Sequence, residues 1–234
     1  MFSVLKNSFL KVISFDSEYQ KMISLIKKHT RPSASLLDVG CGFGRYLKPL
    51  KEAGFEVCGV DANEHVVEAL KQDGFTCYLP NDFEKNEHQY DVIVMSHIIE
   101  HFTPKDLLSF MDTYLSRLKP GGYLFISTPL YSNYFYDDFD HIKPYHPGGL
   151  QMVFSEPMAQ VQYQSVNKIK LLDLWFRKSP IMPRLVRGAY LKTLSSRFQQ
   201  LAIVVGFLIY HLSFKLISKK DGWIGVYQKV QSSS

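Results

Sequence analysis

The residues best suited to chemistry stand in two groups. One is a run of alternating glycines, Asp38-Val-Gly40-Cys-Gly42-Phe-Gly44, and the other a set of histidines at positions 97, 101, 141 and 146. Glycine has no Cβ, so such a loop can turn tightly and bring backbone N–H groups against a ligand. Gly40 and Gly42 begin like a dinucleotide fingerprint, but Gly44 falls one residue early for G-x-G-x-x-G. Asp61 stands twenty-one residues after Gly40, where a carboxylate can accept both hydroxyls of a ribose. Glycine loop and acid together read as a pocket for a nucleoside-bearing ligand. The histidines titrate near neutrality and suit proton transfer.

Positioning these residues requires a frame, and the apolar runs supply it. SLLDVG, FEVCGVD, FTCYLP, YDVIVMS and YLFIST each read as a short buried strand. Between them lie helical stretches. Residues 45–53 form one despite Pro49. Asn63 caps another that stops at Gly74, and Thr103-Pro104-Lys105-Asp106 opens a third that runs to Lys119 and breaks at Pro120-Gly121-Gly122. Strand and helix alternate through residue 128, which predicts a parallel sheet with helices on both faces. Ligands bind such sheets at the carboxyl ends of the strands. The glycine loop, Asp61, Asn81, Asp82, Ser96 and His97 all fall at the ends of strands or just after them.

The pattern D-x-G-x-G-x-G resembles the first motif of the class I S-adenosylmethionine-dependent methyltransferases. The resemblance continues through Asp61, Asn81-Asp82, the stretch Asp91 to His101, and Leu118-Lys-Pro-Gly-Gly122, over roughly residues 33–130. It implies S-adenosyl-L-methionine as cofactor and an α/β, Rossmann-like, seven-stranded, mostly parallel sheet. In that fold the last strand runs antiparallel and is inserted beside the fifth. It also implies roles. Gly40, Gly42 and Gly44 would lie against the methionine part, with Ser96 nearby. Asp38 would face the amino group, Asp61 would hold the ribose, and Asn81 and Asp82 would meet the adenine. The alternative for Asp82 is an ordinary helix cap or turn residue.

For a hydroxyl acceptor a base must take the proton. His141 lies in an aromatic-rich loop after strand five with Tyr131, Tyr134, Phe135, Tyr136 and Phe139, and is the first candidate for that base. Its alternative is to pin the loop through Asp138 or Asp140. His97 is the second catalytic candidate, at the mouth of the site, while His101 reads as structural. Asp137, Asp138, Asp140 and His141 stand close enough for a metal, but such adjacent acids read as sharing solvent, so no metal is expected. The place where base-modifying enzymes carry Asn/Asp-Pro-Pro-aromatic reads Ser96-His97-Ile98-Ile99, which argues against nucleic-acid amines.

Charge divides the chain. Residues 168–220 hold eleven Lys/Arg and one acid, whereas the remainder carries an excess of acids within a net charge of +5. The run LAIVVGFLIYHLSFKLI, residues 201–217, is marginal for a membrane span, at seventeen residues with Lys215 inside it. MAQVQYQS (158–165) reads as strand six and GWIGVYQKV (222–230) as strand seven, so a crossing between them would separate two strands of one sheet. Three units follow: an N-terminal helical cap (1–32), a methyltransferase core (33–167 and 221–231) and a basic, apolar helical insertion (168–220). The cap's MFSVLKNSFLKVISF reads as an amphipathic helix rather than a signal peptide. The insertion suits an anionic membrane surface, with burial on the protein's own body or in a homodimer as the alternatives. The expected protein is cytoplasmic, peripheral on the inner face of the membrane, and methylates a small-molecule or lipid-linked acceptor at oxygen. A catalytically silent partner subunit and an RNA methyltransferase are the competing readings. Three cysteines form no even framework and no metal spacing, so reduced thiols are expected.

Overall fold

The computed structural model describes residues 17–132, 134–155, 162–181 and 193–230. Helix α1 (residues 17–29) leads into β1 (Ser35–Val39), α2 (Leu47–Glu52), β2 (Glu56–Val60), α3 (Glu64–Gln72), β3 (Thr76–Tyr78) and α4 (Pro80–Phe83). Then come β4 (Tyr90–Ser96), α5 (Pro104–Ser116), β5 (Leu118–Pro129), α6 (Pro147–Phe154), β6 (Ile169–Ser179), α7 (Leu194–Leu212) and β7 (Lys219–Lys229). The strands form one sheet in the order β3-β2-β1-β4-β5-β7-β6. Strands β1 to β5 pair in parallel, and β7 runs antiparallel to both β5 and β6. The alternation predicts the parallel strands, and the family resemblance implies the Rossmann-like sheet with its antiparallel seventh strand; both are found.

Alternation within each strand sends successive side chains to opposite faces. Leu37, Ile93, Met95, Leu124 and Ile126 pack on one side against Leu107, Met111 and Leu115 of α5 and Leu150 and Phe154 of α6. Leu36, Val92, Val94 and Phe125 pack on the other against Met22, Leu25 and Ile26 of α1 and Leu50 of α2. The helix starts follow their caps. Asn63 accepts the His65 N–H at 3.1 Å, and Thr103 accepts the Asp106 N–H at 3.3 Å ahead of Pro104.

Three expectations need correction. Strand six is Ile169–Ser179, not 158–165; of the latter stretch, 158–161 lie outside the described residues and 162–165 are irregular. The insertion therefore begins after Ser179, and its basic Lys170, Arg177 and Lys178 belong to the sheet. Pro120-Gly121-Gly122 does not separate helix from strand. It forms an irregularity within β5, where the register jumps from Tyr90↔Leu118 to Val92↔Tyr123. The first sixteen residues of the expected cap, and Arg184, Arg187 and Lys192 of the insertion, lie outside the described residues.

Candidate active site

Register brings the predicted residues to one edge. Val39 pairs with Val60 and Met95, and Ser96 with Ser127, so the turns after β1, β2, β4 and β5 open side by side. The glycine loop enters with Gly40, Gly42 and Gly44 at φ +71°, +49° and +76°. A Cβ on Gly40 would stand 2.6 Å from Ile98 Cδ1, which fixes glycine there by space as well as by backbone angle. Asp61 closes against the loop: its Oδ2 accepts the Gly42 N–H at 2.8 Å and its Oδ1 the Asn63 N–H at 2.9 Å. A carboxylate has about four acceptor positions, so further donors fit.

Beneath the loop, Asp38 is fully buried, and neither of its oxygens has a hydrogen-bond partner among the described residues. Burial, then the charges of Asp61 and Cys77, raise its pKa to about 8. A buried carboxyl without a partner is costly. Its place at the end of β1 is where a cationic ligand would satisfy it, so the site fits a ligand bearing an ammonium group and vicinal hydroxyls. Asn81 and Asp82 lie on α4 at the surface, and Asp82 bonds Lys85 at 2.9 Å, as an ordinary turn acid would. Ser96 joins strands, its Oγ 2.8 Å from Ser127 Oγ and 3.3 Å from the Tyr46 hydroxyl.

His97 has φ +54°, a left-handed conformation that costs a non-glycine residue about 1–2 kcal/mol. Two buried carboxylates hold it: Nε2 lies 2.6 Å from Glu18 Oε1, and Nδ1 3.3 Å from Glu100 Oε1. Burial would push its pKa down, but Glu100 and Glu18 outweigh that and raise it to about 9. At neutral pH His97 is therefore a cation, which does not suit a base. The Glu18 carboxylate also accepts Arg177 Nη1 at 2.8 Å, and Arg177 Nε donates to Asp221 at 2.8 Å. Gly222 leaves room for this guanidinium; a Cβ there would meet it at 3.0 Å.

His141 Nδ1 lies 2.7 Å from the Phe135 carbonyl, which assigns a ring proton to Nδ1. Asp138 Oδ2 stands 3.6 Å from that Nε2. His101 Nδ1 bonds the Asp140 carbonyl at 3.1 Å, and its ring centroid is 5.0 Å from that of His141. His146 caps α6.

A protein-family model described as "Methyltransferase domain" matches residues 14–179. The chain belongs to this methyltransferase domain family. The ubiquinone biosynthesis O-methyltransferase of Rickettsia conorii is 31% identical over 123 residues, which is 50% of this chain and 40% of that protein. The human mitochondrial ubiquinone biosynthesis O-methyltransferase is 34% identical over 105 residues, 40% of this chain and 28% of that one. The chain thus spans less than half the length of these curated relatives. A SAM-dependent methyltransferase of Archaeoglobus fulgidus superimposes with a TM-score of 0.57 at 23% identity, over 92% of this chain and 94% of that one. The Synechocystis magnesium protoporphyrin IX methyltransferase, solved with bound SAM, gives 0.53 at 13% identity, over 92% and 80%. These likenesses concern the fold.

Within this methyltransferase domain, sequence reasoning missed Glu18, Glu100, Arg177 and Asp221. Only Glu100 carried a local signal, three residues after His97. It also missed one grouping: ligand atoms of Glu100, His101 and His141 all lie within 4.8 Å of one another, close enough to share a cation. The acids considered earlier for a metal, at 137, 138 and 140, are not part of it.

Proposed function

We propose that this chain transfers a methyl group from S-adenosyl-L-methionine to oxygen on a small-molecule or lipid-linked acceptor. One observation carries the reading: an open glycine loop sits over a buried, unpartnered Asp38, and Asp61 closes the loop's rim. The loop amides would meet the ligand's carboxylate end, Asp38 its ammonium and Asp61 its ribose hydroxyls. The sulfonium supplies an already activated methyl carbon, so the protein's task is alignment, exclusion of water and removal of a proton. His141 Nε2 would take the acceptor's hydroxyl proton, and Asp138 would then steady the imidazolium.

The exposed face of α7 supports the lipid-linked class of acceptor. The helix touches the body through a narrow seam in which only Ser196, Ile203 and Tyr210 are buried, seven residues apart. Leu194, Phe198, Leu201, Leu208 and Leu212 are exposed, followed by exposed Phe214 and Leu216. An apolar face of this width on a soluble body marks an interaction surface. No acid occurs from 194 to 220, and Arg197, Lys215, Lys219 and Lys220 flank the face. No helix among the described residues is long and apolar enough to cross a membrane. A helix lying in an anionic interface on the cytoplasmic side matches this pattern. The insertion also leaves the sheet beside the site: Leu130 N–H bonds Asp221 O at 2.9 Å, and Lys219 Nζ lies 5.7 Å from the Tyr134 ring. An amphiphile held in that interface would meet the acceptor mouth directly.

Calorimetry with S-adenosylhomocysteine, followed by incubation of enzyme, isotopically labelled donor and a lipid extract, tests the reading. Label entering a chloroform-soluble product supports it. An absence of heat with the native chain, or an affinity untouched in Asp61→Ala, overturns it. The convergence of Glu100, His101 and His141 favours one variant, in which a divalent cation orients the acceptor oxygen. Dialysis against EDTA and readdition of Mg²⁺ would then abolish and restore label transfer.

A further inference from the structure

Two thiols meet beside the glycine loop, and no step of the transfer uses them. Cys41 lies between Gly40 and Gly42, and Cys77 is the middle residue of β3. Both are buried, with their Sγ atoms 3.8 Å apart. Room for the pair comes from an absent side chain: a Cβ on Gly59 would stand 2.8 Å from Cys41 Sγ and 3.2 Å from Cys77 Sγ. The third cysteine belongs elsewhere, since Cys58 packs in the cluster with Phe83 and Tyr90 while Cys41 and Cys77 share another with Leu47 and Leu70.

We propose that Cys41 and Cys77 are a modification site, joined as a disulfide by a peroxide-class oxidant, and that this bond closes the cofactor site. The effect on cofactor rests on the function proposed above; the bond itself does not. A disulfide needs its sulfurs about 2.05 Å apart, so the pair must approach by a little under 2 Å. Both partners can yield. Cys41 is flanked by two glycines in left-handed conformations, and β3 is a three-residue edge strand paired on one side only. Drawing Cys41 toward β3 displaces the backbone that carries the Gly42 N–H, which now meets Asp61 Oδ2 at 2.8 Å.

The chemistry balances with hydrogen peroxide as oxidant. The contact between the two thiols lowers the Cys77 pKa and raises that of Cys41, so Cys77 is the sulfur that gives up its proton and attacks first. Its sulfur bonds one peroxide oxygen, the O–O bond breaks, and the hydroxide released takes up a proton as water. Cys41, losing its proton, attacks the resulting sulfenic sulfur. The S–S bond forms, the S–O bond breaks, and a second water leaves. The two sulfurs together lose two electrons and the peroxide gains them. A ligand held by the reduced loop opposes the movement that the bond requires, so it slows the oxidation.

The test treats the full chain with hydrogen peroxide and measures peptide mass and S-adenosylhomocysteine affinity. The expected result is loss of two hydrogens in a linked Cys41–Cys77 peptide, with Cys58 still open to alkylation after unfolding. Affinity should fall at least tenfold and return with dithiothreitol, and saturating S-adenosylhomocysteine should slow the linkage. The affinities of Cys41→Ala and Cys77→Ala, whatever their reduced values, should not respond to peroxide. The proposal is overturned if no Cys41–Cys77 link forms, if the link leaves affinity unchanged, or if the variants lose affinity on oxidation like the native chain. Absence of binding in the reduced native chain overturns the cofactor reading and the closing effect together, while the linked peptide still decides whether the modification site exists.

Discussion

At the residue scale the most informative group is Asp38. Its pKa in the folded chain is about 8, against a usual value of 3.8, chiefly because it is buried. Between those values the folded chain holds a proton that the unfolded chain has released, so stability falls as pH rises through the window. Asp38→Asn removes that dependence. Its melting temperature should exceed that of the native chain at pH 8 by more than at pH 5, while calorimetry shows S-adenosylhomocysteine affinity reduced at least tenfold. His141→Gln should retain cofactor affinity and lose about 10²–10⁴-fold in turnover, measured as label transferred per enzyme. Asp38, the glycines and Asp61 were legible because their meaning lies in adjacent residues and the ends of adjacent strands. The clamp on His97 was not legible: Glu18 reaches it from 79 positions away, and Arg177 reaches Glu18 from 159. No local spacing encodes a contact made only when distant elements pack.

At the element scale the first five strands could be read because each is a short apolar run closed by a turn residue. Strand β6 could not. It lies at the edge of the sheet and carries Lys170, Asp173, Arg177 and Lys178, and a register shift between Leu171 and Asp173 interrupts its alternation. Edge strands tolerate such charges, which keep other chains from pairing there. The same charges made the segment look like part of the basic insertion. Helix α7 was legible as an apolar helix, and its exposed face yields a prediction. Leu201→Glu with Leu208→Glu should abolish flotation with phosphatidylglycerol vesicles while leaving S-adenosylhomocysteine binding intact. Persistent flotation would remove the membrane from the account. Sedimentation of the native chain as a dimer that the same pair dissociates would assign the face to a second copy. In the glycine loop both Gly40→Ala and Gly42→Ala must adopt a left-handed φ, at +71° and +49°, but only the first must also push Ile98 aside, so it should weaken cofactor binding more.

At the scale of the whole molecule, alternating charges bind remote parts together. Glu100, His97, Glu18, Arg177 and Asp221 run in sequence from the turn after β4, through α1, to β6 and β7. Glu18 and Arg177 are buried, at 2% and 8% exposure. Removing one member of a buried pair leaves the other unpaired, at a cost of about 3–5 kcal/mol. Glu18→Ala and Arg177→Ala should each lower stability by that order in urea titrations. The double variant should lose less than the sum of the two, because the second change removes a charge already stranded.

The antiparallel seventh strand has a consequence for how the chain is made. Ser127 of β5 pairs with Ile224, so that contact waits for roughly a hundred intervening residues, an expensive closure for a folding chain. During synthesis the first five strands can assemble early, leaving β5 with an unpaired rim of amides and carbonyls. The greasy helix emerges from the ribosome before the strand that seals this rim. A newborn molecule therefore displays its two stickiest surfaces at once, and a chaperone or a nearby bilayer would have the most to gain by arriving then.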